Sequence, residues 1–194
     1  MTHASSPPVG DAPGQSRFGP AVDRFDHAAD EWLEQFRGQP AIDRLMVAAT
    51  YAGEFSAIWH VSSIVRGLVR GRPDQMVRLA IGIGLESLIV NQGLKRLFNR
   101  PRPTPEGDER FDIRRPLTSS FPSGHASAAG FAATTFISWD GPRSAPLWGT
   151  MAATVAASRP YVRIHHASDV IAGVGVGVGL GLLARQIFRR TGLG

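Results

Sequence analysis

The amino-acid sequence predicts an all-α fold: a multi-pass transmembrane helical bundle of about five spans, with an amphipathic helix on its N-terminal side. Three observations point there. Whole-chain hydropathy is near zero, yet polar and apolar residues are segregated into blocks rather than mixed. The last block, Val170–Phe188, is nearly free of charge and approaches the ~20 residues that a membrane helix needs. Within it Gly173, Gly177 and Gly181 recur at four-residue spacing, which lets one helix press closely on a neighbour. Glycine also alternates there with apolar residues, as in a strand, but the length of the block favours the helix.

Taken in order, residues 1–20 are rich in Pro, Gly, Ser and Ala without periodicity and read as a disordered tail. They lack the charged start, apolar centre and cleavage site of a signal peptide. Over residues 21–40, Val22, Phe25, Ala29, Trp32, Leu33 and Phe36 recur three and four apart, the mark of an amphipathic helix. That pattern suits packing on a core and lying in a membrane interface equally well. Residues 41–190 form the membrane domain, in five apolar segments. Segment A, about Ile42–Val65, carries Glu54 and His60 and is the weakest span, since a charge at bilayer depth costs roughly 2.5–3.5 kcal/mol. An arginine-rich loop to Arg78 follows. Segment B is about Met76–Phe98, C runs from Phe121 to about Trp139, D is Ala145–Ala157, and E is the glycine-rich block.

Arginine placement orients the bundle. Arg66, Arg70, Arg72 and Arg78 precede or open B, and Arg185, Arg189 and Arg190 close E, so both groups fall on the cytoplasmic side. The loops 99–120 and 158–168 then share the outer side. The outer loop is itself basic, which needs a reason.

A chain of 194 residues makes one domain, and the absence of cysteine excludes disulfides and thiolate metal sites. The net charge of +5 suits anionic partners: phosphorylated substrates, lipid headgroups or nucleic acid. Three stretches hold the chemistry. Lys95 ends segment B and Arg102 follows a proline-stiffened turn, so both can meet one anion. Snorkelling to headgroups accounts for their neighbours Arg96 and Arg100. The run Phe121–His125 opens segment C with Pro122 and Ser123, aiming the amides of Ser123, Gly124 and His125 outward at a helix start. The run Ser158–Asp169 joins Arg159 to His165 and Asp169, which sit four apart and share a helical face. A carboxylate on one imidazole nitrogen leaves the other free as nucleophile or base. The inventory suits a tetrahedral phosphate. No metal-ligand spacing and no Gly-Lys-Ser/Thr loop is present.

These stretches resemble the type 2 phosphatidic acid phosphatase superfamily, which includes vanadium haloperoxidases. Its signatures K-x6-R-P, P-S-G-H and S-R-x5-H-x3-D match as Lys95–Pro103, Pro122–His125 and Ser158–Asp169, over roughly residues 76–188. The resemblance implies a metal-independent phosphatase that needs no cofactor. It implies His165 as a nucleophile forming phosphohistidine, Asp169 as its orienting partner and His125 as the acid for the leaving oxygen. Lys95, Arg102, Ser123, Gly124 and Arg159 then cradle the phosphate. It further implies a lipid phosphate substrate at the outer leaflet of the cell membrane, with no nucleic acid partner, and so gives the basic outer loop its reason. It assigns no role to His166, which is left structural, or to Glu54, Glu86 and His60, which suit pairing with an arginine or lining a polar pocket better than catalysis. A vanadate-dependent haloperoxidase and a non-catalytic membrane or nucleic-acid-binding protein, its arginines serving only electrostatics, are the competing readings. Which lipid, and what oligomeric state, the motifs leave open.

Overall fold

A computed structural model describes residues 18–104, 108–111, 113 and 118–190. All but the end of the expected tail, 1–20, lies outside them. The described residues form helices and turns without a strand. Helix α1 spans Pro20–Glu34, α2 Pro40–Gly53, α3 Ala57–Arg70 and α4 Pro73–Ser87; a π-helical stretch, Leu88–Leu94, carries α4 into the short α5, Lys95–Leu97. Then come α6 (Gly124–Asp140), α7 (Ala145–Tyr161) and α8 (Ala167–Arg190). Proline occupies the first position of α1, α2 and α4, where its missing N–H costs no hydrogen bond.

Helix α6 is the axis of the bundle. It is buried on every side from Ala126 to Ala133, as befits a helix of small and apolar residues with no polar face. Its main partner is α8. A side chain on Gly177 would strike the Ser127 carbonyl, and one on Gly173 the Ser123 carbonyl. From the other side, a Cβ on Gly130 would lie 2.8 Å from the Val174 oxygen. The four-residue glycine spacing therefore brings two backbones together, as the sequence predicts. Beyond this crossing, Trp59, Leu79, Ile83, Phe131, Phe136, Trp148 and Val155 fill the core, and the Phe136 and Trp148 rings stack at 4.2 Å.

The outer surface is apolar as well: Val61, Val65, Leu68, Val77, Ile81, Leu85, Ile171 and Leu182 all face outward. Two helices, Pro73–Leu97 and Ala167–Arg190, are long and apolar enough to cross a membrane. Only 22% and 28% of their apolar windows are buried, whereas a core helix of a soluble protein would be mostly covered.

Two expected segments change shape. Segment A is two helices, α2 and α3, broken at Glu54–Ser56, where Phe55 and Ser56 take left-handed φ values of 50° and 59°. The break lets Glu54 turn toward the interior instead of sitting on a straight apolar helix. Segment D extends to Tyr161, so Ser158 and Arg159 lie in the final turns of α7, and the loop ahead of α8 shrinks to residues 162–166.

The chain ends of the helices sort into two rims. Arg66 pairs with Asp140 at 2.7 Å, and Arg78 lies 5.9 Å from the Phe188 ring centre. The end of α3, start of α4, end of α6 and end of α8 thus share one rim. At the opposite rim α5, the start of α6, the end of α7 and the start of α8 converge.

Candidate active site

His165 occupies the short loop between α7 and α8, fully buried, because α7 and α8 must reverse direction within five residues directly over α6. Its Nε2 lies 3.3 Å from an Arg102 nitrogen. Its Nδ1 faces Ser120 Oγ at 3.4 Å and Asp169 Oδ2 at 3.6 Å. The latter is longer than a formed hydrogen bond. Asp169 Oδ2 instead accepts from the Ser120 hydroxyl and from the His166 N–H at 2.9 Å. Burial pushes the His165 imidazole down to about 3, outweighing the opposite pull of Asp169, so the ring is neutral at physiological pH.

Arg102 is held by the carbonyls of Ile164 at 2.6 Å and Thr118 at 3.2 Å. Arg159, with no exposed surface, enters the same space from α7. None of its three guanidinium nitrogens has a hydrogen-bond partner among the described residues, and Glu54 Oε1 stands 3.8 Å away. Lys95 is buried at the end of the α4–α5 helix, close enough for the charges of Arg102, Arg159 and Asp169 to act on it. Such convergence of cations is costly without an anion among them.

Ser123 caps α6, accepting the Ala126 N–H at 3.4 Å. Its own N–H donates to the Asp169 carbonyl at 3.0 Å, so this amide does not point outward as the sequence suggests. The amides of Gly124 and His125 remain at the orphan end of the helix, where the dipole favours an anion. Asn91, on the π-helical stretch, sits where a Cβ on Gly124 would meet it at 3.0 Å. His125 Nε2 is 3.3 Å from Glu54 Oε1. Glu54 Oε1 thus stands between His125 Nε2 and Arg159, and the charge of Arg159 is felt at His165 as well. Among the described residues no three His, Asp or Glu side chains are grouped to hold a metal ion.

All eight residues singled out in the sequence thus meet at one rim. Others were missed. Arg100 is not a snorkelling surface residue: it is 4% exposed and its guanidinium contacts Asp169 Oδ1 at 2.6 Å. Its proximity to Arg102 was the available signal. Arg96, by contrast, is exposed and bonds Gln92. Ser120 gave no local signal, because its partners are remote in sequence; Glu54 does pair with an arginine, as the sequence suggests, and reaches His125 too.

Comparison with known proteins now adds a second line. The model of the PAP2 superfamily matches residues 75–192. The chain belongs to the PAP2 superfamily. A putative undecaprenyl-diphosphatase, YbjG of Escherichia coli (strain K12), is 30% identical over 117 residues, covering 60% of this chain and 59% of the relative. The chain therefore matches rather less than two thirds of that relative's length. Among solved structures, a transmembrane PAP2-type phosphatidylglycerolphosphate phosphatase from Bacillus subtilis superposes with a TM-score of 0.69 at 23% identity, covering 88% of each chain. Aquifex aeolicus LpxE gives 0.66 at 22% identity, over 82% of this PAP2 chain and 93% of the other. Both share the fold of the bundle described above.

Proposed function

We propose that this PAP2 protein is an integral membrane lipid phosphatase, metal-independent, acting through a phosphohistidine. The observation that carries the reading is Arg159: a fully buried guanidinium with no hydrogen-bond partner among the described residues, close to two histidines, Lys95 and Arg102. A tetrahedral phosphate would supply the missing acceptors. Lys95, Arg102, Arg159, the Ser123 hydroxyl and the Gly124 amide hold the phosphate. His165 Nε2 attacks phosphorus as the bond to the leaving oxygen breaks, and His125 gives that oxygen its proton. Asp169 holds the imidazole through Nδ1. Water, deprotonated by His125, then splits the P–N bond and frees phosphate with His165 restored. Cations in place of magnesium stabilise the spread charge of the transition state.

The substrate is the phosphomonoester or diphosphate of a lipid: a polyprenyl diphosphate, a phosphatidate or a phosphatidylglycerol phosphate. The printed names of the relatives, an undecaprenyl-diphosphatase and a phosphatidylglycerolphosphate phosphatase, support that range. The apolar outer surface and the segregation of arginines support a cell-membrane protein with five crossings, α2 and α3 together making one. They also support an extracytoplasmic site, with residues 1–20 a tail, 21–40 the amphipathic helix and 41–190 the membrane domain.

Phosphate release from a panel of these lipids, in detergent with EDTA, is the test. Wild type is expected to release phosphate despite the chelator, and His165→Ala to lose all measurable turnover. Release that needs a divalent metal, or that survives the substitution, would refute the mechanism.

A further inference from the structure

The matched family residues begin at 75, so no role attaches to α1, yet one of its side chains reaches the pocket's supports. Asp26 is 7% exposed although its neighbours Phe25 and His27 face outward. Its Oδ1 accepts the Ser168 N–H at 2.8 Å, an orphan amide at the start of α8. Its Oδ2 accepts the Ser168 hydroxyl at 2.7 Å and Arg100 at 2.6 Å. Arg100 is stretched between two carboxylates: NH2 bonds Asp26, while NH1 bonds Asp169 Oδ1 at 2.6 Å. The other oxygen of Asp169 is the one that faces His165.

We propose that Asp26, acting through Arg100, is a positioning residue for the Asp169–His165 pair, which makes α1 part of the catalytic apparatus; this rests on the phosphatase reading above. The fork of an arginine fixes orientation only when both arms are engaged. With Asp26 neutral, one arm loses its charged anchor, and the full charge of Arg100 falls on Asp169. Asp169 then turns more freely and offers less negative charge to an imidazole that becomes cationic as it bonds to phosphorus. Both effects act on the transition state. Neither residue faces the phosphate pocket, so substrate binding is spared.

Asp26→Asn keeps the size and removes the charge. We expect kcat to fall about tenfold or more with KM within about twofold, the scale typical of lost supporting contacts around a reactive group. Asp30→Asn is the control: it removes the Asp30 pairs with Arg37 and Arg163, both of which keep Glu34, without touching Arg100, and should leave kcat within about twofold. Equal losses of kcat in the two variants would make α1 a mere fastener and overturn the proposal. If Asp26→Asn does not fold, Arg100→Lys repeats the test, since a lysine cannot bridge both carboxylates. A readout free of turnover is the Nδ1 proton shift of ring-labelled His165 by NMR, expected to move in Asp26→Asn and not in Asp30→Asn. An unmoved ring in Asp26→Asn sinks the proposal whether or not any lipid is hydrolysed. A moved ring in a protein inert toward the whole lipid panel strikes the phosphatase reading alone.

Discussion

Two groups of arginines at the same rim have opposite surroundings. In the outer collar Arg163 meets Asp30, Glu34 and Asp108 at 2.8–3.2 Å, and Arg37 meets Asp30 and Glu34 at 2.6 and 2.8 Å. Arg110 likewise pairs with Glu34 and Asp108. These pairs tie α1 to the loop after α7 and to the segment before α6. A few residues inward, Arg159 is as deeply buried as Arg37 and has no hydrogen bond among the described residues. A buried cation that already has its carboxylates is satisfied and serves the fold. Arg159 has one carboxylate, Glu54, at 3.8 Å and no hydrogen bond among the described residues, so an anionic ligand would complete its surroundings. Charge alone would not tell them apart, because all are arginines gathered at one rim.

Replacing Arg159 by Met is the strongest way to break the comparison. Turnover should fall by about 10²–10³, the cost of removing one donor aimed at developing charge. Stability should hold or rise, since a buried unsatisfied charge gives way to an apolar side chain of similar length. Phosphate release and a thermal melt in detergent read the two together. A variant that lost activity and stability in equal measure would class Arg159 with the collar.

The bundle and the pocket were legible in the sequence to different depths. The glycine spacing in α8 names the face that meets α6, because a close backbone crossing needs small residues at each turn. The three motif stretches name eight residues that the fold brings to one rim, although the Ser123 amide there is taken by the Asp169 carbonyl. The break after α2 was not legible. Its cause is Glu54 reaching His125 and Arg159, and both lie more than seventy positions away. The Asp26–Arg100 link was hidden in the same way, as one acid among several on an amphipathic helix whose pattern leaves its docking face open. Long-range ion pairs leave no periodicity behind them.

The two regions also answer pH in separate windows. His165 is pushed by burial from 6.5 to about 3, and burial lowers His166 as well. Between those values the unfolded chain binds protons that the folded chain refuses, so stability falls as pH drops from 6.5. For His165 alone, acidifying from 6.5 to 5 should cost about 2 kcal/mol, at 1.36 kcal/mol per pH unit. In the collar, Glu34 is lowered to about 2 by its Arg110 hydrogen bond, and Asp30 and Asp108 are lowered too. Their contribution is complete above the ordinary carboxylate range and is lost only as pH falls below about 4. His165→Gln should therefore flatten the melting temperature between pH 7 and 5 and leave the steeper fall below pH 4 in place. A wild-type melt that is flat from pH 7 to 5 would mean that His165 accepts protons as easily when folded as when unfolded.

The smallest effect belongs to the collar itself. Arg163 takes a left-handed φ of 56° and is half-exposed to solvent, its three carboxylates notwithstanding. Asparagine tolerates that backbone, so Arg163→Asn removes the ion pairs without adding strain. Half-exposed pairs are screened, and the loss should be about 1 kcal/mol, or roughly 2–4 °C in melting temperature for a chain of this size. Added salt should shrink the difference between variant and wild type, because the exposed part of the network is what salt reaches. Turnover should change little, since the carboxylates of Asp30, Glu34 and Asp108 face away from the pocket. A fall in turnover as large as that expected for Arg159→Met would erase the line between collar and pocket, and with it the rule that an arginine's partners declare its use.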